Sequence, residues 1–160
     1  MSFKAERISE RRQITLNGGL NTVFPLFGPV EEAKWAPGWS PNFVLSTDNT
    51  IEEHTVFTTK AHHPQEADYT WVISKYAPES AQVEYTVFAA ERLWWISIHC
   101  SETIDDVHTV AEICYTFVGL TDKGNMMNKH IMTVMFAHDL KDWEEQINYY
   151  LESGHRKNHS

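Results

Sequence analysis

The histidines are the residues of this 160-residue chain that most readily suggest chemistry, because imidazole binds metals and transfers protons near neutral pH. The chain has 9 histidines, but none follows a zinc-binding pattern such as HExxH. His130 and His138 would point roughly 80° apart on a helix, so they do not form an i, i+4 ligand pair. His62 and His63 stand near Glu66 in a polar segment without ligand spacing. We therefore predict no metal site and no cofactor.

Tyr85 and Tyr115 place hydroxyl groups in segments that are otherwise apolar. A small-molecule pocket is usually mostly apolar with a few fixed polar groups, so both tyrosines are candidate ligand contacts. Hydrogen-bonded core tyrosines would produce the same pattern. Glu84 and Glu112 are the acids that could move protons beside them. Because the chain lacks the GxSxG, GxGxxG and phosphate-loop signatures of common enzyme classes, binding is favoured over catalysis.

The methionines cluster toward the C-terminal part of the chain, where Met126, Met127, Met132 and Met135 lie close to Ile131. Methionine is unbranched and adaptable, so a surface rich in it accepts ligands of varied shape. The same residues also fill irregular gaps in a packed core. Both interpretations require these side chains to face the interior.

Two tryptophans occupy a segment that otherwise has the composition of a turn, Trp35-Ala-Pro-Gly-Trp-Ser-Pro41. Pro37 and Gly38 favour a chain reversal between the two rings. Trp35 and Trp39 are large, rigid and apolar, so they can seal the end of a core or line the entrance of a pocket. The sequence alone leaves both roles open.

The composition narrows the classes of partner. Basic residues number 13 against 22 acidic ones, and the formal net charge of −9 disfavours nucleic acid and anionic membrane surfaces. The sequence shows no secretion-type leader and no uncharged stretch long enough to span a membrane. We therefore expect a cytoplasmic protein without integral membrane association, present as a monomer or homodimer.

Periodicity predicts one strand, two short helices, six further strands and a long C-terminal helix. The strands are predicted over 7–16, 42–47, 52–60, 68–76, 82–90, 92–102 and 106–120. The first helix is predicted over 20–27, and Glu31 and Glu32 lie in the first turn of the second, where the helix dipole favours acids. The long helix is predicted over 123–153, with Gly154 as its C-cap. Its apolar face consists of Met132, Phe136, Leu140, Trp143, Ile147, Tyr150 and Leu151.

Strand register predicts which residues of the sheet face inward, because side chains alternate between the two faces. A two-residue turn at Ile104 and Asp105 would place Thr103 opposite Asp106 in the last hairpin. The inner face would then carry Trp94, Ile96, Ile98, Cys100, Thr109, Ala111, Ile113, Tyr115 and Phe117. The outer face would carry Trp95, Ser97, His99, Ser101, His108 and Glu112.

The preceding hairpin predicts the same inner face. A turn at 90–91 places Val83, Tyr85 and Val87 opposite Ile98, Ile96 and Trp94. Glu84 and Glu112 then point outward, which counts against both as catalytic acids. For the strand over 68–76 the sequence does not decide whether Tyr69, Trp71 and Ile73 or Val72, Ser74 and Tyr76 face inward.

The cysteines, Cys100 and Cys114, match no metal or redox motif. The predicted register places Cys100 opposite Thr109 and Cys114 opposite Trp95, on opposite faces of the sheet. Two thiols on opposite faces cannot be bridged, so both are expected to stay reduced.

The order of these elements and the tryptophan segment together resemble the SRPBCC superfamily, which includes START, birch-pollen-allergen and polyketide-cyclase proteins. The resemblance covers nearly the whole chain and is strongest to a prokaryotic subgroup with a Trp-x-Pro-Gly-Trp-x-Pro motif. The residues that carry it are Phe27, Pro29, Trp35, Pro37, Gly38, Trp39 and Pro41, followed by Val56-Phe-Thr-Thr59, Trp71-Val-Ile-Ser-Lys-Tyr76 and Val83-Glu-Tyr85. It implies an α+β helix-grip fold, in which a curved antiparallel sheet in β-α-α-β6-α order wraps around the long C-terminal helix. We expect one domain over 1–154 and a frayed tail over 155–160.

The same resemblance implies a groove between the sheet and the long helix, closed at one end by the two short helices. The leading expectation is binding, with transport or sequestration, of a small hydrophobic or amphipathic molecule such as a lipid or polyketide-like compound. The candidate contacts are Phe24, Phe27, Trp35, Trp39, Trp71, Tyr85, Trp94, Ile98, Ala111, Ile113, Tyr115, Met127, Ile131 and Met135. A cyclase- or aromatase-like enzyme is the first alternative, and a co-chaperone-like interaction module that uses Trp95 is the second.

Overall fold

The strands form one antiparallel sheet in the computed structural model, which describes residues 2–45, 51–61 and 64–157. They are β1 (Arg7–Leu16), β2 (Asn42–Leu45), β3 (Val56–Thr59), β4 (Tyr69–Ala77), β5 (Gln82–Phe88), β6 (Arg92–Glu102) and β7 (Thr109–Gly119). The spatial order is β1-β7-β6-β5-β4-β3-β2, so the predicted meander is confirmed and the first strand pairs with the last. Residues 46 and 47 of the predicted second strand lie outside the described residues.

Helical segments lie mainly before and after this meander. They are α1 (Leu20–Val23), 3₁₀ turns at Phe24–Phe27, Glu31–Lys34 and Pro78–Ser80, α2 (Asp122–Val134), a π turn (Met135–Asp139) and α3 (Leu140–Ser153). The helix predicted over 20–27 is confirmed as α1 continued by a 3₁₀ turn. The hydrogen-bonding pattern changes at Pro25, because proline has no N–H to donate within an α-helix.

The long C-terminal helix is confirmed over 122–153, but it contains the π turn at Met135–Asp139, which its periodicity did not predict. Gly154 ends it in the left-handed conformation, with φ of 74°, as a C-cap requires. The predicted apolar face packs against the core, where Leu140 and Ile147 are fully buried. Within the described ranges no helix is both long and apolar enough to cross a membrane.

β3 is shorter than the strand predicted over 52–60. Residues 52–55 instead form a turn, in which His54 has a φ of 72° and the Thr55 hydroxyl donates to the Glu52 carbonyl at 2.9 Å. Such a local hydrogen bond satisfies a backbone group that a longer strand would have paired across the sheet. β3 therefore contributes only Val56–Thr59 to the sheet.

The predicted register of the β6–β7 hairpin is wrong by two residues. The Thr103 N–H donates to the His108 carbonyl at 3.1 Å, so Thr103 lies opposite His108 rather than Asp106. The loop is longer than a two-residue turn because the Asp105 carboxylate accepts hydrogen bonds from the N–H groups of Val107 and His108, at 3.0 and 3.2 Å. A shift of two residues keeps every side chain on its face, so the predicted inner face is confirmed. In the neighbouring hairpin Val83, Tyr85 and Val87 lie opposite Ile98, Ile96 and Trp94, as predicted.

β4 combines the two arrangements between which the sequence did not decide. Tyr69 and Ile73 are buried on the inner face, with Trp71 between them. A β-bulge after Ile73 then shifts the register, so Tyr76 lies opposite Val83 and also faces inward. A bulge adds one residue to a strand and re-aims the side chains that follow it.

The cysteines are free thiols on opposite faces of the sheet, as expected. Their predicted neighbours are corrected by the shifted register, because Cys100 lies opposite Ala111 and Cys114 lies opposite Ser97. Burial raises the pKa of Cys100 to about 12, so this thiol stays protonated and unreactive at neutral pH.

Candidate ligand-binding site

Two buried tyrosines occupy one row across the middle of the inner sheet face. Tyr85 on β5 and Tyr115 on β7 both lie opposite Ile96 on β6. Because neighbouring strands are about 4.8 Å apart, the two tyrosine backbones are separated by roughly 10 Å. The Tyr85 hydroxyl donates to the Phe27 carbonyl at 2.5 Å, whereas the Tyr115 hydroxyl has no hydrogen-bond partner among the described residues.

Glu32 extends toward this row from the 3₁₀ turn Glu31–Lys34. Its carboxyl group is near enough to Tyr85 and to Tyr115 for its charge to act on both hydroxyls. It forms no ion pair or side-chain hydrogen bond with any described residue, whereas its neighbour Glu31 pairs with Lys34 at the surface. Glu31 therefore has an ion-pair partner on its own turn, whereas Glu32 has none among the described residues.

The surroundings of Glu32 favour its neutral form. Burial raises the pKa of Glu32 to about 8, because the protein around the carboxyl group penalises its charge. The side chain nevertheless keeps some accessible surface. Burial also raises the pKa values of Tyr85 and Tyr115 well above that of an ordinary tyrosine, and the charge of Glu32 raises these two pKa values further. At neutral pH the carboxyl group is mostly protonated and both phenols are neutral.

The two tryptophans of the turn-like segment hold the short helical turns together. The indole N–H of Trp35 donates to the Leu26 carbonyl and that of Trp39 donates to the Pro29 carbonyl, each at 2.7 Å. Between them the chain reverses at Gly38, whose φ of 76° suits a residue without a Cβ atom. The predicted reversal is confirmed, and these hydrogen bonds fix the two short helical turns to the tryptophan segment.

An aromatic wall connects Trp39 to the tyrosine row. Its ring centroid lies 5.5 Å from that of Trp71, which lies 5.6 Å from that of Tyr85. The Trp71 indole N–H donates to the Thr59 hydroxyl at 2.9 Å, and Phe57 stacks on the same indole at 5.4 Å. Each ring in this wall is therefore fixed by a neighbour or a hydrogen bond.

The π turn of the long helix forms the opposite wall. Phe136 contacts Tyr115 with ring centroids 6.2 Å apart, and Trp143 lies 6.3 Å from the same ring and 5.9 Å from Trp35. Asp139 is near enough to Tyr115 for its charge to raise the pKa of that phenol. A π turn widens a helix locally and recurs at functional sites, which singles out this part of the helix.

The predicted contact residues differ in their accessibility. Phe24, Phe27, Trp35, Tyr85, Trp94, Ile98, Ala111, Ile113, Tyr115 and Met127 are buried, whereas Trp39, Trp71, Ile131 and Met135 keep part of their surface exposed. Ring contacts bring Trp35, Trp39, Trp71 and the tyrosine row together. Trp94 is linked to the tyrosine row through Phe117, whose ring centroid lies 5.9 Å from that of Trp94 and 5.7 Å from that of Tyr115. The Arg92 guanidinium lies 4.3 Å from the Trp94 ring centroid.

The methionines do not form one surface. Met126 is 72% exposed, whereas Met132 is buried in the main core. Met127 is buried outside that core, and Met135 lies at the start of the π turn. Of the predicted methionine contacts, Met135 is therefore the one adjacent to the π-turn wall.

A second polar cluster, which the sequence did not predict, lies where β6 begins. Arg92 donates to Glu66 through Nε at 2.9 Å and Nη2 at 2.8 Å, and the two side chains are only 3% and 7% exposed. Tyr69 donates to Glu66 at 2.5 Å, and Asn128 accepts from Arg92 Nη1 at 3.3 Å. The Asn128 Nδ2 atom has no hydrogen-bond partner among the described residues. This cluster fixes the segment before β4 against β6 and α2.

Glu84 and Glu112 lie on the outer face, as predicted. Glu84 accepts a hydrogen bond from the Ser74 hydroxyl at 2.8 Å, and Glu112 pairs with Arg11 at 3.4 Å. Both line a depression of about 130 Å³ on this face, so neither acid lies among the inner-face residues. Trp95 also lies on the outer face and is partly exposed, and its role in an interaction module stays a prediction.

The histidines that the structure describes do not join the groove. His99 is exposed on the outer face, and His108 contacts Asp105 at 2.7 Å in the hairpin loop. His62 and His63 lie outside the described residues. Within the described part of the chain, no three potential ligands of the His, Cys, Asp or Glu type come together to hold a metal.

Comparison with known proteins identifies the architecture. No protein-family model matches the chain, and no curated protein matches it. The Zhui aromatase/cyclase from Streptomyces sp. R1128 aligns with a TM-score of 0.71 at 12% identity, over 93% of this chain and 98% of that one. Norcoclaurine synthase from Thalictrum flavum, in complex with dopamine and hydroxybenzaldehyde, aligns with a TM-score of 0.67 at 10% identity, over 96% and 91%. Ara h 8.0201 aligns with a TM-score of 0.63 at 14% identity, over 92% and 99%.

The chain has the helix-grip fold that these three structures share. Identities this low establish a shared fold and leave the activity to be argued from the site itself. In this helix-grip domain the sheet supplies Tyr85 and Tyr115, the short turns supply Glu32, and the long helix supplies Phe136 and Trp143.

Glu32 is the residue of this site that sequence reasoning missed, because its position near a helix N-terminus already explained an acid there. The large apolar residue three positions later, Trp35, could have indicated that Glu32 lies on the same side of the turn. Trp35 is 1% exposed, and residues at i and i+3 share a face of a helical turn. Once Trp35 is placed inward, Glu32 should follow it.

Proposed function

We propose that this helix-grip domain binds a small amphipathic molecule with an aromatic body, in the groove between the sheet and the long helix. The inner site is defined as Glu32, Tyr85 and Tyr115 together with the rings of Phe136 and Trp143. It joins three polar groups to an apolar, aromatic surface, which is the usual makeup of a small-molecule site. Transport or sequestration would be the simplest use of such binding.

Glu32 is the observation that carries this proposal. A polar side chain in surroundings of low dielectric is normally paired with a protein group, a ligand or water. Glu32 has no ion-pair or hydrogen-bond partner for its side chain among the described residues, although its surroundings raise its pKa to about 8. A ligand that pairs with this carboxyl group gains more than it would in water, because the surroundings exclude much of the solvent.

Two of the matched structures support the class of ligand. The norcoclaurine synthase structure contains dopamine and hydroxybenzaldehyde, both small aromatic molecules, and another match is an aromatase/cyclase. At 10% and 12% identity these proteins share a fold with this chain and do not identify its ligand. They favour aromatic compounds as the first molecules to test.

Native mass spectrometry of protein purified from its own host tests the proposal directly. We expect a bound small molecule that is released on denaturation and can be extracted into organic solvent. Glu32→Trp should abolish the bound mass because the indole would fill the inner site. Glu31→Trp is the matched control on the same turn, and its outward position should leave the bound mass unchanged.

Retention of the compound by Glu32→Trp would place it elsewhere on the protein. Parent protein that carries no compound, and that takes up no aromatic probe when mixed with one, would contradict the proposal itself.

A cyclase- or aromatase-like enzyme is the second candidate, and the raised pKa of Glu32 favours it. A carboxyl group with a pKa of about 8 can both donate and accept a proton near neutral pH, as a general acid–base requires. Incubation of the extracted compound with the protein discriminates the two candidates. Conversion that Glu32→Gln abolishes would support catalysis, and an unchanged compound would support binding alone.

A further inference from the structure

The open edge of β1 is covered along only part of its length. β1 and β2 are the two edges of the sheet, so one side of β1 has no neighbouring strand. Near the C-terminal end of β1, side chains of α3 take the place of that strand. The Thr15 N–H donates to the Glu144 carboxylate at 2.7 Å. Asn148 accepts from the Asn17 N–H at 2.7 Å and donates to the Thr15 carbonyl at 3.1 Å.

These contacts identify the backbone groups of β1 that face the open side. Along an edge strand, alternate residues direct their N–H and C=O groups toward the neighbouring strand or away from it. Thr15 and Asn17 direct theirs to the open side, whereas the Glu6 carbonyl accepts from the Gly119 N–H on the β7 side. The register between β1 and β7 is continuous, so this alternation holds along the strand. The groups on the open side therefore belong to Arg7, Ser9, Arg11 and Gln13.

This part of the edge is accessible to another molecule. Within 7–13, Ile8 is partly buried and every other residue is exposed. The N–H and C=O groups on the open side have no hydrogen-bond partner among the described residues. An edge of this kind can be extended by a strand of another chain, whose backbone pairs with the free groups.

The charges along this edge select the kind of strand. Its side chains include Arg7, Arg11 and Arg12 but only one acid, Glu10. Arg7 and Arg12 form no ion pair with a described residue, and Arg11 contacts Glu112 at 3.4 Å in an exposed pair. The edge is therefore basic on a protein whose formal net charge is −9. Because salt screens charges beyond about 8 Å at physiological ionic strength, a strand on this edge interacts mainly with the arginines.

A second copy of the chain does not suit this edge. If two β1 strands paired around a two-fold axis, the registers that use most of the free groups would place like charges opposite each other. The opposed pairs would be Arg7 and Arg11, Glu10 and Glu10, or Arg11 and Arg11. Like charges directly opposite destabilise a strand pair, and charge on an edge strand is a known safeguard against self-pairing. The arginines that disfavour a second copy favour an acidic strand.

We propose that the β1 edge from Arg7 to Gln13 docks an extended acidic segment of a partner protein, which pairs with it as a further strand of the sheet. Opposite residues share a face, so the segment needs Asp or Glu opposite Arg7 and Arg11 on the outer face and opposite Arg12 on the inner face. An apolar residue suits the position opposite the partly buried Ile8. This surface includes no residue of the inner site, so the inference is independent of the proposed function.

Titration of nitrogen-15-labelled protein with a capped acidic heptapeptide tests the inference. In antiparallel pairing, Thr-Glu-Glu-Thr-Thr-Val-Glu places glutamates opposite all three arginines and valine opposite Ile8. We expect saturable shifts of the backbone amide signals of Arg7, Ser9, Arg11 and Gln13 at millimolar peptide. A peptide with lysine in place of each glutamate should bind at least ~10-fold more weakly, because it brings like charges together.

Backbone methylation of the peptide separates strand pairing from simple charge attraction. N-methyl groups on its third and fifth residues remove N–H donors that face β1, whereas N-methyl groups on its fourth and sixth residues remove donors that face away. The first pattern should weaken binding at least ~10-fold more than the second. Both peptides have the same charge, and the comparison uses the parent protein, so no folding defect affects it.

Protein variants test the arginines. Replacing Arg7 and Arg11 together by Gln should weaken binding of the acidic peptide, whereas Arg156→Gln, at an exposed arginine outside the edge, should leave it unchanged. Equal weakening by both methylation patterns would overturn strand pairing, and a lysine peptide that binds as tightly would overturn the acidic partner. Concentration-dependent shifts of the β1 amides without peptide would show that a second copy takes the edge instead. No saturable shift of these amides with the acidic peptide would overturn docking at β1.

Discussion

Glu32 lies in surroundings that penalise its charged form, so its ionisation should make the free energy of unfolding depend on pH. Burial raises its pKa from 4.5, the value expected in the unfolded chain, to about 8 in the folded protein. The unfolded state therefore loses its proton first as pH rises. The favourable contribution of neutral Glu32 is complete below pH 4.5 and is lost as pH rises toward 8.

Glu32→Gln should remove this pH dependence. At pH 9 the variant should be more stable than the parent by on the order of 2 kcal/mol, less than the full pKa shift implies, because the carboxyl group is partly exposed. Near pH 4.5 the advantage should be smallest. Urea unfolding at both pH values measures the difference, with Glu31→Gln as the control that should show no gain at pH 9. A variant no more stable than the parent at pH 9 would contradict the raised pKa of Glu32.

The buried pair of Arg92 and Glu66 should be costly to break. Arg92→Met leaves the Glu66 carboxylate without its counter-charge, so the free energy of unfolding should fall by about 3–5 kcal/mol. Arg11→Met breaks the exposed pair with Glu112, whose side chains are 69% and 39% accessible, and should cost less than ~1 kcal/mol. Adding Glu66→Gln to Arg92→Met should recover part of the loss. Equal losses in Arg92→Met and Arg11→Met by urea unfolding would contradict the burial of the pair.

At the scale of single elements, the N-terminus of α2 approaches the β5–β6 turn very closely. A Cβ atom at Gly124 would lie 1.9 Å from the Glu91 carbonyl oxygen, so only glycine fits there. This contact sets the height of the long helix above the sheet, and with it the position of the π turn over Tyr115.

Gly124→Ala should therefore destabilise the protein by about 1–3 kcal/mol, although alanine is the better helix former. Gly19→Ala is the matched control, because a Cβ atom there meets its nearest neighbour, the Asp106 carbonyl oxygen, at an ordinary 3.4 Å. The control should stay within ~0.5 kcal/mol of the parent. Thermal unfolding followed by circular dichroism compares them, and a Gly124→Ala variant as stable as the parent would contradict the close approach of α2.

Periodicity predicts the elements of this fold better than their interruptions. The alternation of apolar residues along the strands predicted the inner face correctly even where the predicted β6–β7 register was wrong. A register shift of two residues leaves every side chain on its face. The loop length depends on one carboxylate, that of Asp105, and alternation carries no information about it. The π turn was missed because Phe136 and Leu140 keep helical spacing across it.

The candidate site was predictable where it depends on the sheet. Tyr85 and Tyr115 follow from strand alternation, whereas Glu32 depends on how a short turn packs over the sheet. The Arg92 cluster was unpredictable for a similar reason, because its partner Glu66 comes from a segment without regular structure. Contacts between irregular segments and the sheet leave no periodic trace in a sequence.

At the scale of the whole molecule, the 6 tryptophans lie on different sides of the sheet, so their signals can respond separately to binding on either side. Trp143 lies 6.3 Å from the Tyr115 ring, and Trp35 lies 5.9 Å from Trp143, so both adjoin the inner site. Trp95 lies on the outer face. The indole N–H signals of these residues in a nitrogen-15 spectrum can therefore locate a ligand relative to the sheet.

Titration of nitrogen-15-labelled protein with phenethylamine and then with phenethyl alcohol is the most direct test of binding at the inner site. Single Trp→Phe substitutions assign the indole signals. Binding in the groove predicts saturable shifts of the Trp143 and Trp35 signals that fit one dissociation constant, while the Trp95 signal stays unchanged. Shifts confined to Trp95, or no saturable shift of any indole signal with either probe, would contradict a ligand site between the sheet and the long helix.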